Sequence, residues 1–488
     1  MNSKTDTGVN TTQKSALEPR LSFFFSLLAA AWVVRKFVPG VYLEYSILAF
    51  FGGLIALYVT AVTLKGTVER ILLGWVALFP LGYYFCSFPR DAPILTFDRA
   101  VIMVLLLGMV FAPRDTAARV PRALCRAATA WAVFVLAVLV SFVHLGSFLG
   151  PFGIVVDAFV LPALLGLYVI RHFNVRQHLG SLHLLVSVVA SYLAAIGLAE
   201  MIRGEDLLPM PGDAGLYYSG LGDSLLLRPN GPFSTTHSFA LVGLLGFCFL
   251  IFLRRALPEQ LPRWQRGLHV IGIVSTVGIA LMTLTRGVAL GLLFVLILDS
   301  FPAHSSRRRM ANLGFAALLV GFVLILFVVN RGIFEERVAS PTNLYARIAQ
   351  QFQTLKVFWS SPITGVGFSN FGGAMQKFSG STPEFLGVEA MGVAHNNLGA
   401  MLADTGLLGF LPYILSQILL LKAFWKAKTK KTARAALASR SFLYLFLVYW
   451  ISGLNTASVY SSDLNLWFLF TTSCVYKFGF AQEAACLV

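Results

Sequence analysis

Four basic or titratable side chains, three where apolar runs of this chain begin or end and one on an amphipathic stretch between runs, are of types that suit one kind of chemistry. Arg228 lies in Leu227-Arg228-Pro229-Asn230-Gly231-Pro232-Phe233, just ahead of an apolar run. Arg286 lies in Leu284-Thr285-Arg286-Gly287, wedged between two such runs with almost no loop. Arg347 falls on the polar side of an amphipathic stretch, and His395 falls in Val393-Ala394-His395-Asn396-Asn397, at the mouth of a further run. A guanidinium is planar, permanently charged and bidentate toward phosphate oxygens. An imidazole, titrating near neutrality, can take a proton from an incoming hydroxyl. Carboxylates on the same side are scattered (Glu205, Asp206, Asp213, Asp223, Glu335, Glu336, Glu384, Glu389), without a DxD or HExxH pattern. The set suits departure of a diphosphate stabilised by arginine in place of a divalent ion. That describes metal-free transfer of a sugar from a lipid diphosphate to a hydroxyl at a membrane surface, with no cofactor.

The elements that must hold these groups are apolar helices. Of 488 residues, 57% are hydrophobic and only 12% charged, about half the supply of a soluble domain. Mean hydropathy is +0.75. Apolar stretches, roughly 15 to 23 residues long against the roughly 17–25 of a membrane span, recur at about 21–38, 44–64, 69–88, 99–113, 127–145, 152–171, 181–200, 235–254, 268–284, 287–301, 312–330, 398–422, 441–457 and 462–478. The chain therefore reads as an all-α, polytopic transmembrane bundle of about 12–14 spans, several being short. Leu27 to Ala31 faintly resembles a signal-peptide cleavage site, but a retained first helix is expected.

The net charge of +16 acquires meaning once it is placed along the chain. With the N-terminus inside, 26 of the 38 Lys and Arg fall at cytoplasmic ends, including Arg307-Arg308-Arg309 and the run from Lys422 to Arg440. These runs are orientation anchors beside anionic lipid, and they lack the fold and interleaved aromatics of a nucleic-acid surface. Both termini are then cytoplasmic, as tails 1–20 and 479–488. The dispersed Cys86, Cys125, Cys248, Cys474 and Cys486 suggest neither a disulfide nor a metal site.

The remaining organisation is a bundle over 21–330 with an outer loop at about 201–234, a large outer loop over 331–397, and C-terminal helices over 398–478. In Asn343–Trp359, Leu344, Ile348, Phe352, Leu355 and Trp359 recur at helical spacing, opposite Arg347, Gln350, Gln351 and Thr354. This predicts an amphipathic helix along the outer interface, ended by Pro362. Asp404 lies nine residues beyond His395, which on a helix starting there is the far side and about 13–14 Å deeper, so it is a poor partner for His395 and should pack toward a neighbouring helix or reach a wet cavity.

Four blocks, in order, resemble the O-antigen ligase and O-antigen polymerase superfamily of bacterial envelope proteins. They are Arg228-x-x-Gly231-x-Phe233; Leu284-Thr285-Arg286-Gly287; Arg347 followed by Pro362-Ile363-Thr364-Gly365-Val366-Gly367-Phe368-x-Asn370-Phe371; and His395-Asn396-x-Leu398 with Thr405-Gly406-x-x-Gly409. The similarity covers roughly 185–425. Family members usually carry Glu at the place of Asp404, and an Asn-Pro-Asn-like element where this chain has Ser234-Thr235-Thr236-His237, which leaves His237 unassigned.

The resemblance implies a metal-independent, inverting glycosyltransferase on the periplasmic face of the bacterial inner membrane. Its donor would be an undecaprenyl-diphosphate-linked glycan and its acceptor a sugar hydroxyl of lipid A-core, in lipopolysaccharide biosynthesis. By analogy Arg228 and Arg286 hold the diphosphate, His395 acts as base, Asn396 orients it, and Arg347 helps close a site that includes Gly365 and Gly367. An O-antigen polymerase and a protein O-oligosaccharyltransferase share the blocks. A transporter or flippase of lipid-linked saccharides is the rival of another class, and it would call for mid-bilayer ionisable residues and paired broken helices. Asp157 is the clear mid-helix carboxylate of the first half.

Overall fold

A computed structural model describes residues 67–88, 95–111, 120–147, 149–208, 217–219, 226–258, 261–300, 341–378, 396–428, 432–454 and 456–480, with a few more between 310 and 321. The expected spans at 21–38 and 44–64, most of 312–330, both chain ends and His395 lie outside the described residues.

The chain is a helical bundle. Among the described residues, seven helical stretches are long and apolar enough to cross a membrane: Arg122–His144, Leu149–Arg171, Leu179–Arg203, Thr236–Ala256, Arg263–Met282, Asn397–Trp425 and Ala433–Gly453. The helices in order are α1 (Thr67–Leu78), α2 (Gly82–Phe85), α3 (Phe97–Phe111), α4 (Arg122–Ser141), α5 (Leu149–Val155), α6 (Leu161–Arg171), α7 (Leu179–Arg203), α8 (Thr236–Ala256), α9 (Arg263–Met282) and α10 (Arg286–Ser300). After these come α11 (Pro341–Ser360), α12 (Phe371–Phe378), α13 (Asn397–Lys428), α14 (Ala433–Gly453) and α15 (Ser462–Phe480). The only strands among the described residues form two short antiparallel pairs, β1 (Ser87–Phe88) with β2 (Leu95–Thr96) and β3 (Tyr217–Ser219) with β4 (Leu226–Arg228). The expected span 69–88 stops early: α1 gives way to a 3-10 turn at Phe79–Leu81, where Pro80 has no N–H to continue the ladder.

α8 is apolar all round and buried along nearly its whole length, so it forms the axis on which α7, α9, α14 and α15 pack. Aromatic rings fill the space beside it. Phe79 stacks on Trp467 at 5.5 Å, and Phe249 meets Phe470 edge-on at 6.1 Å.

A π-helical turn, Val156–Val160, joins α5 to α6. Pro162 explains it: the ring denies a donor to the carbonyl four residues back, on Ala158. Asn465 Nδ2 takes up that carbonyl at 2.9 Å, and Trp131 Nε1 takes up the next, on Phe159, at 3.1 Å. Asp157 on this turn is held bidentately by Arg99, both contacts being 2.7 Å.

The two ends of the bundle differ in character. One end carries polar ties that fasten helix termini: a Glu69–His178 hydrogen bond at 2.9 Å, the Arg255–Asp299 ion pair, and Lys477 Nζ on the Ile170 carbonyl at 2.6 Å, near the C-terminus of α6. The other end gathers the termini of α4, α7, α8, α9, α10, α13, α14 and α15 with the loops between them, and it carries the site.

Candidate functional site

The first arginine block is built on a loop pinned from two sides. Arg228 closes β4, opposite Tyr217 of β3. Its Nε donates to the Thr283 carbonyl at 2.8 Å and its Nη2 to Thr285 Oγ1 at 3.3 Å. Thr283 and Thr285 form the tight turn between α9 and α10, in which Leu284 adopts a left-handed φ of 49°. Arg286 is the first residue of α10, so the turn that grips Arg228 also presents Arg286. The side chain of Arg286 lies outside the described residues, as does that of Arg347 on α11. Below the loop, Glu200 of α7 is fully buried, and its Oε2 accepts the Gly231 N–H at 2.9 Å. Thr236 Oγ1 donates to Asn230 Oδ1 at 2.6 Å, while Thr235 caps α8 by accepting the Ser238 N–H at 3.1 Å. Glu200 did not stand out in the sequence, although a lone carboxylate near the end of an apolar run was the available signal.

The glycine block closes a break in a membrane helix. Within α13, Gly406 leaves helical geometry at φ 58°, ψ −164°. A break in a membrane helix exposes backbone groups that lipid cannot satisfy. The turn Pro362–Gly367 satisfies them: the Leu407 and Leu408 amides donate to the Pro362 and Ile363 carbonyls at 2.9 and 3.0 Å. In return the Val366 and Gly367 amides donate to the Ala403 and Asp404 carbonyls at 3.0 and 3.1 Å. Gly365, with φ +72°, comes so close that a Cβ there would stand 2.3 Å from the Asp404 carbonyl carbon; at Gly406 a Cβ would stand 2.4 Å from the Ile363 oxygen. Gly365 and Gly367 thus serve as a plug in the helix. Gly365→Ala is expected to cost at least about 2 kcal/mol of stability, seen as a lower melting temperature of the purified protein, whereas Val366→Ala should cost less.

Asn396 caps α13, its Oδ1 accepting the Gly399 N–H and its Nδ2 donating to Gln351 Oε1 of α11 at 2.9 Å. Asn397, buried, donates to Ser458 Oγ at 3.1 Å and accepts the Val459 N–H at 2.9 Å. These bonds fix the helix start that directly follows His395. Beside it lies a cavity of about 420 Å³ between α11 and α13. Gln351, Thr354 and Asn396 form its polar corner, and Leu355, Leu402 and Phe410 part of its apolar wall.

α11 runs over Pro341–Ser360, matching the amphipathic stretch read from the sequence, and Phe352, Leu355 and Trp359 of its apolar stripe face away from the protein. Phe352 and Trp359 are 53% and 71% exposed, while Gln350, Gln353 and Thr354 are buried against the bundle. That arrangement fits a helix lying on lipid.

Two further histidines join this end. His237, the second residue of α8, bonds through Nε2 to Ser452 Oγ of α14 at 2.8 Å, one residue from Gly453, which packs on Asn397. His144 bonds through Nε2 to Thr364 Oγ1 at 2.8 Å, beside the glycine plug. His144 carried no sequence signal, because its partner lies 220 residues away. Asp404 turns to neighbouring segments: its Oδ2 accepts the Ser369 N–H at 2.7 Å and the Tyr460 hydroxyl. Desolvation and the adjacent Asp404 push the Tyr460 hydroxyl well above its usual pKa, so it remains a donor.

A multi-pass helical membrane protein whose arginine turn, plugged helix break and capped helix start meet at one end is the class that fold and geometry define. Residues 271–414 match the family model described as O-antigen ligase. That stretch is thus similar to the O-antigen ligase family, which supports the resemblance carried by the blocks within it. Arg286, Arg347, the glycine block and the His395-Asn396 block fall inside the match. Arg228 lies upstream of it and is joined to it through Thr283 and Thr285. A search of curated proteins finds no match.

Proposed function

We propose that the protein is an O-antigen ligase: a metal-independent, inverting glycosyltransferase that moves a finished glycan from undecaprenyl diphosphate to a sugar hydroxyl of lipid A-core. The observation that carries the reading is the junction of the arginine turn, Arg228 with Thr283 and Thr285 beside Arg286, with the match to the O-antigen ligase family over 271–414. On this reading Arg228 and Arg286 neutralise the diphosphate as the glycosidic C–O bond breaks. His395 removes the proton of the acceptor hydroxyl as its oxygen attacks from the opposite face, and Arg347 closes over the donor. The cavity between α11 and α13, polar at Asn396 and apolar at Leu402 and Phe410, suits a substrate that is sugar at one end and lipid at the other. The site faces the periplasm and the chain resides in the inner membrane, by the bias of its basic residues toward the opposite end.

The break at Gly406 is a feature a transporter would share. Here, however, the Pro362–Gly367 backbone fills it, and Asp157 is neutralised by Arg99, so neither provides an open ion path. Reconstitution of the full chain with lipid-linked glycan and lipid A-core separates the readings. Glycan appearing on the acceptor is the expected result; donor crossing the bilayer without transfer overturns it. The polymerase alternative predicts instead that glycan extends lipid-linked glycan when no lipid A-core is supplied. With arginines in the place of a metal, transfer should continue at an undiminished rate after exhaustive treatment with chelator, as scored by the shift of acceptor on a gel.

A further inference from the structure

We infer that Asp404 is a positioning residue for glycan transfer: with Tyr460 it clasps the glycine plug to the N-terminal half of α13, and so sets the place of the helix start at Asn396, which follows His395 in the sequence. The inference rests on the transferase reading for its consequence, although the clasp itself is geometric.

Asp404 is fully buried, two residues before the break at Gly406. One oxygen, Oδ2, receives both the Ser369 N–H at 2.7 Å and the Tyr460 hydroxyl, and thereby joins three segments remote in sequence. Ser369 has φ +63°, a left-handed conformation unfavourable for a residue other than glycine, and capture of its amide by the carboxylate offsets that strain. Tyr460 belongs to the loop before α15 whose Ser458 and Val459 bind Asn397. The clasp and the Asn397 contacts therefore fix the α13 start at both ends of its first two turns, with residues 397–405 held as a rigid piece between them. The backbone exchange across the break fixes the plug along the helix, while the clasp, together with the Phe368–Tyr460 ring contact at 5.2 Å, ties it to the 458–461 loop as well. A group acting through this geometry needs an acceptor oxygen at the position of Oδ2; it does not need a charge.

The test measures transfer and amide exchange on the full-length protein in lipid nanodiscs, using lipid-linked glycan and lipid A-core. Asp404→Ala is expected to lower kcat at least tenfold, with the KM for donor within threefold, because the arginines sit on other segments. Hydrogen exchange at 366–370 should rise in the same variant. Asp404→Asn, which keeps an acceptor oxygen, should restore kcat to within about threefold of wild type. The proposal is overturned if Asp404→Ala keeps kcat within twofold, if its kcat falls without a rise in exchange, or if a folded Asp404→Asn is as inactive as the alanine variant. Should Asp404→Ala fail to fold, Tyr460→Phe is judged by the same two readouts, with a smaller loss expected. If the wild-type protein transfers no glycan at all, the transferase reading fails, and the exchange measurement still decides the clasp.

Discussion

His395→Ala is expected to lower the rate of glycan transfer by about a hundred- to ten-thousandfold while donor still binds, because general-base assistance to a hydroxyl contributes on that scale. The affected step is proton removal, so kcat should fall with little change in the KM for lipid-linked donor. Single-turnover transfer by purified variant and wild type, with donor binding measured separately, provides the check. Full activity in the variant would refute the assignment of the base. His237→Ala and His144→Ala sharpen the result. Both imidazoles hydrogen-bond to protein hydroxyls at the same end of the bundle, and each should cost far less than loss of His395.

Arg286→Ala should lower kcat/KM by about a hundred- to a thousandfold, through weaker donor binding and slower turnover together. The charge on the diphosphate is present when donor binds and grows as the glycosidic bond breaks, so a guanidinium contributes to both stages. Lysine should rescue little, since an ammonium cannot reproduce planar, bidentate contact. Binding of a diphosphate-bearing lipid to Arg286→Lys, set beside its turnover, distinguishes this from a role in holding the turn. Arg228→Ala combines both effects, since its guanidinium already grips the Thr283 carbonyl and the Thr285 hydroxyl. It should therefore lower thermal stability as well as turnover, whereas Arg286→Ala should lower turnover far more than stability.

The bundle itself was legible because lipid imposes a simple rule, that long apolar helices cross it, and that rule is written in composition. The amphipathic α11 was legible for the same reason, with bounds within two residues of those expected. What periodicity could not convey were interruptions inside apolar runs. The π-helical turn at Val156–Val160 follows from Pro162 and from Asn465 more than 300 residues away, and the break at Gly406 is stable only because Pro362–Gly367 returns to fill it. A one-dimensional pattern carries no sign of either partner. Arg228 and Arg286 could be singled out because a guanidinium at the end of an apolar run is unusual by type, and the structure brings both to one turn. The site was not legible where the role is support: Thr283 and Ser452 act through long-range hydrogen bonds and their types are ordinary in membrane helices, while Glu200 is conspicuous by type but its partner Gly231 lies on a separate loop.

The outward apolar stripe of α11 has a consequence for how this protein should be handled. One wall of the cavity beside Asn396 belongs to a helix whose outer face, with Phe352 and Trp359 mostly exposed, has lipid for its solvent. The bilayer is then a component of the site's architecture, and its thickness and surface tension bear on the width of the cleft as a fixed wall never could. A short-chain detergent replaces that component with a curved and yielding one. Turnover in micelles should thus fall below that in bilayers of native thickness even when the bundle stays folded, and the physical state of the membrane becomes a variable of the enzyme's own rate.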